Sequence, residues 1–139
     1  MSATADSPLA TALKAASRVL AYPGEEVQEE GDELARILVP RPELNEEERA
    51  ALRRFLDWLG GEDLLEVQAA YVETFDRSKR QSLYLFEHVY GESRDRGKAM
   101  VELKRAYREQ GLEIACEEMP DYLPLFLERV TEAKEQYRA

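Results

Sequence analysis

The sequence predicts an all-α fold, a compact single-domain bundle of about seven helices over residues 1–139. Three observations lead there. Apolar residues recur at three- and four-residue spacing, and no segment shows sustained alternation with period two. Helix-starting and helix-stopping residues punctuate the chain at short intervals. At 139 residues and 44% hydrophobic content, the chain has material for one core and little room for two.

Each element has its own signal. Ser7-Pro8 is an N-cap followed by proline at the first helical position, and Tyr22-Pro23-Gly24 stops that helix. Leu9, Leu13, Ala16 and Leu20 are its expected core face. A second helix is expected over Glu25 to Leu38, weakened at Gly31 by about 1 kcal/mol relative to alanine. Pro40 and Pro42 make a stiff connector. Asn45 with Glu48 is a capping-box start for a helix carrying Leu52, Phe55, Leu56 and Leu59, ended by Gly60-Gly61. Asp63 with Glu66 is expected to open the next helix in the same way, with Leu64, Val67, Tyr71 and Phe75 on one face. After a polar, basic loop from Asp76 to Gln81, Ser82 is expected to cap a short helix through Tyr90, and Ser93 a longer one to about Gln110. Met100, Leu103 and Tyr107 form the stripe of that longer helix. Leu112 to Met119 reads as a short helix or turn. The last helix starts near Asp121 with Leu123, Phe126, Leu127 and Val130 inward, and Pro124 in its first turn, where a missing N–H costs little.

Composition removes several kinds of chemistry. A single cysteine, Cys116, allows no internal disulfide and no CxxC pair. A single histidine, His88, excludes HExxH and multi-histidine metal sites. Glycines fall in no phosphate-cradling pattern, and nothing assembles a triad around His88 or Cys116. The expectation is therefore a protein that is not an enzyme and has no metal or cofactor of its own. No apolar run approaches the ~20 residues of a membrane span, and the N-terminus lacks the pattern of a secretory signal.

The net charge of −10 argues against nucleic acid as a partner. That charge is unevenly spread. Residues 77–108 hold 9 basic and 4 acidic side chains, a net +5 between acidic flanks. Arg77, Lys79, Arg80, Arg94, Arg96 and Lys98 thus form a basic region that either complements neighbouring helix faces or meets an anionic partner.

Aromatic and apolar residues concentrate in three segments, Tyr71–Asp76, Leu83–Gly97 and Pro120–Glu128. Leu83 to Tyr90 is apolar on more than one face, so its helix is either deeply buried or lines a groove for an amphipathic partner helix.

These segments resemble the NarJ branch of the TorD/DmsD/NarJ redox-enzyme maturation chaperones. Tyr71-Val72-Glu73-Thr74-Phe75-Asp76-Arg77 is similar to the family's Y-V-x-x-F-D-R. The run from Leu85 through Met100 resembles L-F-E-H-V-x-G-E-S-R-D-R-G-x-A-M, and Met119 to Glu128 resembles L-P-D-Y-L-P-L-F-L-E. Leu20-Ala21-Tyr22-Pro23 matches L-x-Y-P. The TorD and DmsD branches usually carry histidine after the Pro-Asp pair, where this chain has Tyr122.

The resemblance implies an all-helical, cytoplasmic, system-specific chaperone for the catalytic subunit of respiratory nitrate reductase. It implies binding of that subunit's N-terminal segment while the apo-enzyme stays competent for molybdenum-cofactor insertion. The groove is expected near Tyr71, Phe75, Leu83, Phe86, Tyr90, Tyr122, Leu123 and Phe126, with Asp76, Glu87, Glu92 and Asp121 meeting basic residues of the client. Protonation of His88 is a further expectation, as a release switch. Two alternatives stand beside this one. In the first, the basic block, with Arg77, Arg80, Arg94 and Arg96, handles a molybdopterin cofactor. In the second, the client is a different molybdoenzyme of the TorD/DmsD type. Family members usually continue with further helices, so either a C-terminal tail is missing here or this member is short. Exposed apolar grooves also leave monomer and homodimer both open.

Overall fold

The computed structural model describes residues 7–77, 79–91, 93–112 and 119–132. Glu92, Cys116, most of the turn expected between Leu112 and Met119, and the end of the last helix beyond residue 132 lie outside them. Eight α-helices form among the described residues: α1 (Pro8–Leu20), α2 (Glu25–Glu29), α3 (Gly31–Leu38), α4 (Glu46–Gly61), α5 (Leu64–Tyr71), α6 (Leu85–Tyr90), α7 (Asp95–Glu109) and α8 (Leu123–Glu132). A π-helical turn (Val72–Asp76) extends α5, and a 3-10 turn (Lys79–Gln81) follows it.

Several ends are closed by the residues that mark them in the sequence. Ser7 Oγ accepts from the Ala10 N–H at 3.1 Å. Asn45 and Glu48 form a complete capping box at α4, at 2.8 and 2.9 Å. The acidic runs Glu25-Glu26 and Glu46-Glu47-Glu48 sit in first helical turns, where they complement the helix dipole. Arg49 stitches the proline-rich connector, donating to the carbonyls of Val39, Arg41 and Leu44.

Other ends differ from expectation. The helix expected over 25–38 is two helices, broken at Glu30, whose φ −87° and ψ 4° leave the helical region just before Gly31. There the chain passes α4 closely: a Cβ on Gly31 would meet Gly60 Cα at 4.0 Å. Gln28 then donates to the carbonyls of Leu59 and Glu62 at 3.1 and 2.7 Å, closing the C-terminus of α4 from α2. Asp63 makes no side-chain cap for α5. Ser82 and Ser93 each accept from a backbone N–H two residues on, and their helices begin only at Leu85 and Asp95.

The main core joins Ala15, Val27, Leu34, Val39, Leu56, Leu59 and Val67, from α1 through α5. Helix α1 is buried on two sides, against this core and against α8. Its buried residues are Ala10, Ala12, Ala15 and Ser17, whereas Leu9 of the expected stripe is 53% exposed. The same correction applies to α8, which buries Pro124, Leu125 and Thr131 while Val130 stays exposed and Leu123, Phe126 and Leu127 are half-buried. Small side chains on α1 let α8 come close enough for Ser17 Oγ to donate to the Pro124 carbonyl at 2.5 Å. Close packing of small residues, rather than the hydrophobicity of the leucines, decides which faces meet.

Helix α6 is held by residues distant in sequence. Leu85 N–H donates to the Asp121 carbonyl at 3.0 Å, and Leu123 N–H to the Leu83 carbonyl at 2.7 Å. These make an isolated antiparallel bridge between Tyr84 and Tyr122. The Asp121 carboxylate, 0% exposed, caps α6 by accepting from the Phe86 N–H at 2.9 Å. Bridge and cap together form a clasp between the start of α6 and the turn before α8.

Asp121→Ala leaves the Phe86 N–H without its acceptor and is expected to lower stability by about 1–3 kcal/mol. Ser17→Ala is expected to lower it by about 0.5–1.5 kcal/mol, because the hydrogen bond that joins α1 to the Pro124 carbonyl is lost. Both are read as shifts in urea midpoint with the slope unchanged.

Candidate functional site

An apolar cavity of about 340 Å3 opens between α1, α4 and α5. Val19 and Leu20 of α1, then Pro23, form one wall. Phe55, Trp58 and Leu59 of α4 form the second. Val67, Ala70 and Tyr71 of α5, with Thr74 and Phe75 of the π-helical turn, complete it. Phe55 and Trp58 pack at 5.9 Å between ring centroids and keep 40% and 37% of their surface exposed, so they stand at the mouth. The Arg77 N–H reaches back to the Val72 carbonyl at 3.1 Å, the widened spacing of a π turn. That turn brings the Phe75 ring to 4.9 Å from Tyr71.

Tyr71 is common to the cavity and the clasp. Its ring meets Tyr22 edge-on at 5.5 Å, and its hydroxyl donates to the Leu20 carbonyl at 3.0 Å. With that one proton committed, the 2.8 Å contact to Tyr122 has the Tyr122 hydroxyl as donor. The Tyr122 ring in turn lies on Tyr84 at 5.2 Å. Burial, and then the hydrogen bond with Tyr122, pushes the Tyr71 phenol far above the ordinary tyrosine range. Tyr84 is raised by burial and by the carboxylates and phenols around it. Tyr107, whose hydroxyl donates to the Pro120 carbonyl at 2.9 Å, is pushed up to about 12 by burial, against the opposing pull of Arg129.

Of the residues singled out in the sequence, Tyr71 and Phe75 line the cavity and Tyr122 touches it through Tyr71. Leu83 is buried at the clasp, and Asp121 belongs to the frame of the site rather than to its surface. Phe86 and Tyr90 pack edge-on at 5.4 Å, half-buried on α6. Leu123 and Phe126 lie half-buried on α8. Asp76 is exposed at the end of the π turn. Glu87 faces Arg96 at 4.0 Å. His88 is exposed, its Nε2 donating to the Ser82 carbonyl at 2.7 Å. Arg77 pairs with Glu73 at 3.4 Å, and Arg80 is exposed. Arg94 and Arg96 border a separate shallow depression. Phe55, Trp58, Leu20 and Ala70 were not expected at a site. The signal for two of them was present: the chain's one tryptophan lies three residues after Phe55, on the same side of α4 as the core stripe.

Residues 41–139 match the family described as nitrate reductase delta subunit, and the chain belongs to that family. Among curated relatives it is similar to the nitrate reductase molybdenum cofactor assembly chaperone NarJ of Escherichia coli K12. The two are 46% identical over 112 residues, covering 81% of this chain and 48% of that protein. It is 44% identical over 117 residues to the probable chaperone of the same description, NarW, from the same strain, covering 84% of this chain and 47% of that protein. It is 34% identical over 114 residues to the nitrate reductase-like protein NarX of Mycobacterium tuberculosis, covering 81% of this chain and 16% of that protein. The chain thus spans about half the length of the Escherichia coli relatives it matches. Among the described residues, no helix is long and apolar enough to cross a membrane.

Because Tyr107 keeps its proton in the folded state up to about pH 12, the unfolded chain, with tyrosines near the ordinary value of about 10, deprotonates first as pH rises. Stability is therefore expected to be unaffected below about pH 10 and to fall from there towards pH 12. Tyr107→Phe should flatten that fall, as checked by urea unfolding at a series of alkaline pH values.

Proposed function

We propose that this chain is a system-specific chaperone domain for the catalytic subunit of nitrate reductase. In this reading it acts in the cytoplasm and performs no catalysis. It binds the subunit's N-terminal segment as an amphipathic helix and keeps the apo-enzyme competent for molybdenum-cofactor insertion. The observation that carries the reading is the apolar cavity with two exposed aromatic residues at its mouth. Such a cavity takes one or two large apolar anchors from a helix face, the usual geometry of helix-in-groove recognition. Aromatic walls supply large contact area at little entropic cost.

The surroundings favour a basic client. Between Asp57 and Asp76 the chain carries six carboxylates and no cation, and all six are exposed. They attract lysine and arginine beside the anchors and set the register of docking. Folding the client segment on binding costs about 2–5 kcal/mol of the gross interaction, which keeps affinity moderate and allows release.

Titration of the client's N-terminal peptide is expected to release heat and to move Trp58 fluorescence to shorter wavelength. Trp58→Ala should weaken binding about tenfold or more, with thermal stability little changed. Absence of both heat and fluorescence change would overturn the proposal.

A further inference from the structure

Tyr122 does not line the aromatic cavity, yet its hydroxyl is bonded to a residue that does. The cavity walls hold polar atoms that a bound side chain could use, and the fold takes most of them away. Leu20 and Leu59 lie in the last turns of α1 and α4, and Pro23 in the loop after α1, so their carbonyls lack a helical partner. Each is closed by a side chain from elsewhere. Tyr71 Oη donates to Leu20 at 3.0 Å, Gln68 Nε2 to Pro23 at 2.9 Å, and Gln28 Nε2 to Leu59 at 3.1 Å. Tyr71 also brings a hydroxyl of its own into the wall. Its proton is committed to Leu20, and its oxygen accepts from Tyr122 at 2.8 Å. A phenol oxygen is conjugated with its ring and keeps one well-directed acceptor position in the ring plane, which Tyr122 fills. The other hydroxyl of the wall, on Thr74, is exposed and open to water.

We propose that Tyr122 is a positioning residue that sets the specificity of the cavity: by occupying the acceptor position of Tyr71, it restricts the cavity to side chains without a hydroxyl, such as phenylalanine or leucine, and turns away tyrosine. This role deepens the proposed function and rests on it for the natural occupant. An anchor that carries a hydroxyl must leave water without gaining a partner in the wall, and an unpaired polar group of this kind weakens binding. Tyr122 is fixed well enough for such a task. Its N–H donates to the Met119 carbonyl at 3.0 Å, its ring lies on Tyr84 at 5.2 Å, and the following N–H, of Leu123, is held by the clasp. Tyr84 supplies a natural control. It packs on the same ring, but its hydroxyl makes no bond to Tyr71 among the described residues.

The test uses two small probes that differ by one hydroxyl, toluene and p-cresol, titrated into residues 1–139. Binding is read from the emission of Trp58, the chain's one tryptophan, which stands at the mouth and is excited where phenols do not absorb. Toluene is expected to bind about 10–100-fold more tightly than p-cresol. Tyr122→Phe keeps the ring on Tyr84. It should leave toluene affinity within about twofold and lower the ratio by about fivefold or more, because p-cresol can then donate to the Tyr71 oxygen. Tyr71→Phe bares the Leu20 carbonyl and should lower the ratio as well, whereas Tyr84→Phe should leave it unchanged. A merely structural Tyr122 would weaken both probes together when changed to phenylalanine and leave the ratio as it was, and that outcome overturns the proposal. So does a ratio that Tyr84→Phe lowers as far as Tyr122→Phe does, or absence of toluene binding to the unsubstituted chain. The client's N-terminal peptide is titrated in parallel, and its failure to bind counts against the proposed function and not against the role of Tyr122.

Discussion

A carboxylate with no exposed surface needs donors close by, and Asp121 takes one from the first turn of α6. That bond closes a helix of six residues, too short to persist on its own. The Asp121 carbonyl and the Leu123 N–H add the two bridge bonds that hold Leu83 and Leu85 in place. Helix α6 is thus ordered from a turn 35 residues further along the chain. Because Tyr122 lies inside the same turn, the clasp also sets the position of the hydroxyl that supports Tyr71 and, through it, one wall of the cavity.

Charge is unevenly distributed along the chain. Residues 57–76, which supply much of the cavity wall, hold six carboxylates and no cation, while residues 77–108 carry a net +5. Total charge conceals this division, since the basic segment is outnumbered by its acidic flanks.

The helical class and several helix ends were legible because they depend on short-range chemistry: Ser7 with Pro8 and Asn45 with Glu48 at starts, Gly60 with Gly61 at a stop. The faces that helices present were harder to read. On α1 and α8 the leucine and phenylalanine stripes predict one orientation, and the small residues Ala10, Ala15 and Ser17 impose another, because a close helix pair depends on shape. The site was legible in part. Tyr71 and Phe75 stand in a recognisable segment, and both line the cavity. Phe55 reads as an ordinary core position and Trp58 carries no signal of its own beyond its spacing from Phe55, since their exposure at a cavity mouth arises only once α4 and α5 stand around an unfilled space. The role of Asp121 was not legible, because its partner amide is remote in sequence and carries no side-chain signal.

The contact between α1 and α8 has a consequence for the order in which the chain acquires its structure. Ser17 and the carbonyl it binds are separated by 107 residues. During synthesis from the N-terminus, α1 can settle on α3 and α4 early, but its second face has no partner until α8 has been made. Although α1 is made before the other described helices, it is therefore among the last to be completed. Closing so long a loop is slow compared with forming the local helices. In the interval the alanine face of α1 and the half-built wall above Leu20 are open, so the nascent chain passes through a stage in which it presents uncovered apolar surface.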